Sequence, residues 1–123
     1  MQTLSQQRAE FALRKVVEAE TERFKPFSAG AASIILQNGF GQAMAFWYSK
    51  GQKEHGIMTG LIEEWLRKRY PGEFGNRVEM NPQGFLSVIM KLDQSVYHSM
   101  QQETIMLLEW VKRFANAFIK GGN

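Results

Sequence analysis

Few side chains in this sequence are of types that do chemistry. The histidines number two, His55 and His98, far outside the three- or four-residue spacing that puts paired metal ligands on one helix face. Neither has a ligand constellation around it, and each reads as an ordinary helix-flanking or surface histidine rather than a general base. Cysteine is absent, which removes disulfides, thiolate nucleophiles and cysteine-based zinc sites. Glu63 and Glu64 are consecutive, so on a helix they point to different sides and act as solvated charges instead of a working carboxylate pair. Asp93 is the single aspartate. The run Asn38-Gly39-Phe40-Gly41 has glycines that suggest a phosphate cradle, but the lysine-serine ending and preceding strand of a P-loop are missing, and it reads as a turn between helices. No nucleophile, base and oxyanion donor can be assembled, so the sequence predicts no catalytic residues, no metal and no cofactor.

What remains is positive charge. Arg67-Lys68-Arg69, Lys50 with Lys53, and Lys112-Arg113 with Lys120 each fall where a helix is predicted to end, and Arg8, Arg14, Lys15 and Arg23 punctuate the first segment. Cations at helix C-termini complement the macrodipole whether or not anything binds. A binding role requires the clusters to share a surface. The net charge of +3 and pI near 9.3 tilt partners toward anions. Trp47, Tyr48, Trp65, Trp110 and the phenylalanines could stack on bases, but each sits on the apolar stripe of its helix and is expected in the core.

The elements that must carry these residues are helical throughout. With 123 residues and 44% hydrophobic content, the chain is expected to form one domain around one core. A first helix is predicted from about Leu4 to Arg23, with Thr3 and Gln6 as a capping box and Lys25-Pro26 as its stop. A second covers Ala29 to Leu36 with Ser28 as cap. A third, Phe40 to Lys50, is apolar around most of its circumference and is the candidate centre of the core. A fourth runs from Glu54 to Tyr70, and Tyr70 to Pro82 is predicted to be the longest loop. Asn81 and Pro82 open a fifth helix reaching about Leu92. The last spans Ser95 to Ile119, with Val96, Met100, Leu107, Leu108, Val111, Phe114 and Phe118 as its stripe. No alternating strand pattern occurs, so the fold class is all-α, a single compact bundle of about six helices. Met1 to Glu10 lacks an apolar signal core and no stretch reaches a membrane-spanning length, which predicts a cytoplasmic protein with no membrane partner.

Two segments resemble a known family. Gln37-Asn38-Gly39-Phe40-Gly41-Gln42-Ala43-Met44-Ala45-Phe46-Trp47-Tyr48-Ser49-Lys50 is similar to the turn and following helix of the small subunit of type III-B CRISPR effector complexes, the Cmr small-subunit family. Leu107-Leu108-Glu109-Trp110-Val111-Lys112-Arg113-Phe114-Ala115 resembles that family's closing helix. Gln7-Arg8-Ala9 with Phe11-Ala12 is a looser match, and the loop from Tyr70 to Pro82 shows no family pattern. The resemblance implies an all-helical, non-catalytic subunit of a ribonucleoprotein used in antiviral defense. It implies stacking with copies of itself into a short filament, beside a large polymerase-like subunit and other Cmr complex subunits, lining the groove where guide RNA pairs with target RNA. The candidate RNA-binding residues are then Arg8, Arg14, Lys15, Lys50, Lys53, Arg67, Lys68, Arg69, Lys112 and Arg113, neutralising phosphates while base pairing supplies specificity. The alternative is a helical protein-protein adaptor without direct RNA contact. A small DNA-binding protein with a helix-turn-helix across Asn38-Gly39 ranks last, because the third helix is too apolar to lie in a groove.

Overall fold

A computed structural model describes residues 1–75 and 80–121. The described residues form seven helices in order: α1 Leu4–Glu18, α2 Phe24–Asn38, α3 Phe40–Tyr48, α4 Lys53–Arg69, α5 Pro71–Phe74, α6 Pro82–Met90 and α7 Gln94–Phe118. Among the described residues there is no strand. The all-α expectation holds, with one helix more than the sequence suggested.

The start of α1 forms as its capping box dictates: Thr3 Oγ1 accepts from the Gln6 amide at 3.1 Å, and the Thr3 amide donates to Gln6 Oε1 at 2.8 Å. Its end differs from expectation. The helix stops at Glu18, five residues short of Arg23, and a new one begins at Phe24. Lys25-Pro26 does not stop a helix; Pro26 occupies the first turn of α2, where its missing N–H has no helical acceptor to lose. The restart buries Phe24 completely, a contribution of about 1.5–3 kcal/mol for a large apolar side chain. Ser28 is accordingly no cap but an interior helical residue, its hydroxyl donating to the Lys25 carbonyl at 2.9 Å.

Gly39 ends α2 and begins α3 at once, with φ +89°, a left-handed backbone that favours glycine. The first amides of α3 find their partners across the bundle on α7: Phe40 N–H donates to Gln101 Oε1 at 2.9 Å and Gly41 N–H to the Tyr97 hydroxyl oxygen at 2.7 Å. A Cβ on Gly41 would stand 3.2 Å from that hydroxyl and 2.5 Å from Met90 Cε, the far end of an exposed flexible side chain that can move aside, so the Tyr97 contact is what favours glycine here. The predicted long loop contains the short helix α5, opened by Pro71 and anchored by buried Phe74, which stacks on Phe85 of α6 at 5.3 Å. Residues 76–79 of that predicted loop lie outside the described residues. Asn81 caps α6 as expected, Oδ1 accepting from Gly84 at 2.6 Å.

The long α7 packs on α1, α2 and α4. It runs beside α1 in the same direction: Arg8 meets Glu103, and further along both helices Val17 and Phe118 line one shallow groove. α4 runs against α1, since Lys53 at its start reaches Glu20 and Glu64 near its end reaches Arg14 and Lys15. Trp47, Ile35, Phe40, Met44, Met58, Ile62, Met100 and Leu107 fill the interior. The predicted stripe on α7 is buried only in its middle. Val96 and Phe114 are half-buried, and Phe118 is 60% exposed, because the helix runs past the end of α1.

Candidate nucleic-acid interface

The cations named from sequence have very different environments. Arg8 is buried, and its guanidinium bonds both oxygens of Glu103, through Nε to Oε2 and through Nη2 to Oε1 at 3.1 Å. Trp65 Nε1 donates to the same Oε2 at 2.9 Å. Burial pushes the Glu103 carboxyl up, but the bonds from Arg8 and Trp65 and the charges of Arg8 and Arg69 more than offset it and hold the group below its ordinary range. Arg8 thus ties α1 to α7 and offers no surface group to a phosphate. Sequence could not show this pairing, which spans 95 positions.

Arg14 and Lys15 project from α1 toward Glu64, at 3.5 and 2.7 Å, and both also lie over the Phe11 ring at 5.3 and 5.6 Å. Glu64 is therefore a shared counter-ion and not simply a solvated charge. Lys53 approaches Glu20 at 3.5 Å. Lys50 lies with Nζ 4.6 Å above the Phe46 ring centroid. Arg67 donates from Nε to the Glu63 carbonyl at 3.3 Å. Lys68, Lys112 and Arg113 are exposed, and among the described residues no carboxylate stands within ion-pair distance of them. Arg14 and Lys68 line one cleft with Phe11 and Trp65, of about 250 Å³. Lys112 and Arg113 stand on α7 beyond Glu103, roughly 13–15 Å further along the helix at 1.5 Å per residue. These exposed cations thus fall into two groups, Lys68 near the end of α4 and Lys112 with Arg113 toward the end of α7, while Lys50 and Lys53 lie apart at the junction of α3 and α4.

Two features escaped the sequence. Glu63 is half-buried and accepts from the Tyr48 hydroxyl at 2.6 Å. Burial pushes its carboxyl up, against the pull of the Tyr48 bond and Arg67, while burial and Glu63 together raise the Tyr48 phenol. Phe46 faces outward and is 48% exposed; its polar neighbours at helical spacing, Gln42, Ser49 and Lys50, were the available signal. Trp47 and Trp65 are core as expected, whereas Trp110 is half-buried and begins a stacked series with Phe114 and Phe118 at 5.5 and 6.2 Å. His55 packs against Phe27 at 4.6 Å between ring centroids, and His98 is exposed. Among the described residues no three histidines or carboxylates gather into a metal-binding group, and no helix is long and apolar enough to cross a membrane.

Residues 4–118 match the family of CRISPR-associated protein (Cas_Cmr5). Among solved structures, a CRISPR-associated Cmr5 family protein from Thermus thermophilus is similar, with a TM-score of 0.78 and 27% sequence identity over 98% of this chain and 100% of that one. No curated protein matches.

Proposed function

The chain belongs to the CRISPR-associated Cmr5 family and is a subunit of a CRISPR Cmr complex; from this premise we propose that it is a non-catalytic, cytoplasmic small subunit that lines the groove holding guide RNA and target RNA. In this reading copies of the chain stack as a short filament beside the large polymerase-like subunit. The observation that carries it is the exposed set Lys68, Lys112 and Arg113, cations that no carboxylate of the described chain neutralises. Such groups exchange condensed counterions for phosphates, giving affinity without sequence readout. Each contact is weak. Several copies along one RNA raise the effective concentration of the next, so the interaction gains strength only in the assembly.

Arg14, Lys15 and Lys53 contribute less, since their charge is already shared with Glu64, Glu18 or Glu20. Arg8 belongs to the interior. The test is charge reversal in the tagged complex at Lys68 with Arg69, and at Lys112 with Arg113. RNA retention is expected to fall and its salt dependence to flatten, while helicity and subunit composition are unchanged. Undiminished retention with both pairs reversed removes the RNA role and leaves the adaptor reading.

A further inference from the structure

The two helices joined at Gly39 carry a surface that the phosphate contacts above do not use. From Arg23 to Lys53 the sequence contains no aspartate or glutamate, and it contains four cations, Arg23, Lys25, Lys50 and Lys53. This is the stretch that forms α2 and α3. Between those helices lies a groove of about 250 Å³, lined by Ile34 and Asn38 from α2 and Gln42, Ala43 and Phe46 from α3.

Its composition is specific. Phe46 presents about half its surface to solvent, and Lys50 holds its ammonium over the ring. Asn38 uses Nδ2 on the Ile34 carbonyl at 3.1 Å, leaving its side-chain oxygen as an acceptor, and the exposed Gln42 offers both a donor and an acceptor. A partner helix would ask for a continuous apolar strip, but here two carboxamides interrupt the apolar wall. An aromatic face, a cation beside it, carboxamides at the rim and no carboxylate on either helix are together what a base and its phosphate require.

We infer that this groove binds an unpaired nucleobase of single-stranded RNA. The base stacks on Phe46, Lys50 moves from the ring to the neighbouring phosphate, and Asn38 and Gln42 meet the base edge. Asn38 offers the base edge only an acceptor, its amide nitrogen being held by the Ile34 carbonyl, whereas Gln42 can present a donor or an acceptor by rotation, so the site tolerates more than one base. The inference rests on the RNA-lining reading, and the experiment separates the two.

Fluorescence anisotropy of the full-length chain at low ionic strength uses two labelled probes, a single-stranded RNA and an abasic oligomer with the same number of phosphates. Phe46→Ala is expected to weaken RNA binding roughly 5- to 150-fold, the range for one aromatic stacking platform, with the abasic oligomer unaffected. Phe46→Trp restores binding. Lys112→Glu with Arg113→Glu weakens both probes. If Phe46→Ala binds RNA like the wild type while the α7 reversal does not, the groove is not a base site and the RNA reading survives. Equal loss on both probes assigns Phe46 to holding Lys50 and overturns stacking. Loss of a neighbouring subunit from the complex with RNA affinity unchanged makes the groove a protein contact. If the wild-type chain binds neither probe even at concentrations high enough for several copies to share one oligomer, both readings fall.

Discussion

Replacing Glu103 by leucine tests how α1 and α7 are held together. The substitution leaves the guanidinium of Arg8, a residue 8% exposed, without a counter-ion and the Trp65 N–H without an acceptor. Breaking a buried pair from one side costs about 3–5 kcal/mol, and a buried donor left unsatisfied about 1–3 kcal/mol. The two penalties overlap, because water that reaches one group relieves the other, so about 3–5 kcal/mol is expected in all. Against the usual stability of about 5–15 kcal/mol for a small domain, that brings the chain near its unfolding threshold. Arg8→Met added to Glu103→Leu removes the stranded charge, leaving only the Trp65 penalty of about 1–3 kcal/mol. Urea titrations of the wild type, both single variants and the double variant, followed by circular dichroism, give the coupling directly. Acidification adds a second readout. The folded-state pKa of Glu103 is depressed, so its contribution is present at neutral pH and is lost as pH falls through the carboxylate range; the leucine variants are flatter there. Additive single variants, with coupling under about 0.5 kcal/mol, would refute the claim that this network joins the helices.

Further outcomes follow from the turns and the second carboxylate. Gly39→Ala forces a side chain into φ +89° and should cost about 1–3 kcal/mol, whereas Gly30→Ala, inside α2 with open space around it, should stabilise by about 0.5–1 kcal/mol; thermal melts of the pair give opposite signs. The folded-state pKa of Glu63 is raised, so its contribution is full below the ordinary carboxylate pKa and lost as pH rises through the raised value. Glu63→Gln keeps an acceptor for Tyr48 but not the charge, and its stability relative to the wild type should rise from acidic to neutral pH. A stability difference that stays constant across that range means that Glu63 is solvated.

Local signals in the sequence were accurate where the decisive partner lay within a turn or two. The Thr3–Gln6 box and the Asn81 cap were readable because each satisfies its own helix start. The proline at position 26 was misread because the same residue ends one helix or opens another, and the choice was made by burial of Phe24, a tertiary event. Pro71–Phe74 showed no period because four residues are too few to display one. The site was less legible than the fold. Arg8, Arg14 and Lys68 read alike as surface cations, and only the approach of Glu103, Glu64 or nothing distinguishes them. The outward turn of Phe46 was legible only from Gln42, Ser49 and Lys50 at helical spacing, against an α3 that is otherwise apolar nearly all round.

The placement of α7 also governs the order in which the molecule can mature. The seventh helix supplies the wall against which α1 and α2 rest and the side chains that complete the start of α3. During synthesis, then, α2 to α6 can meet one another as they emerge, but the faces of α1 and α2 that rest on α7 stay uncovered until that helix leaves the ribosome. Such long-range closure is slow compared with helix formation. The nascent chain is thus expected to depend on chaperone shelter until α7 arrives, and a message truncated before Gln94 should yield a product that is degraded rather than a partly working subunit.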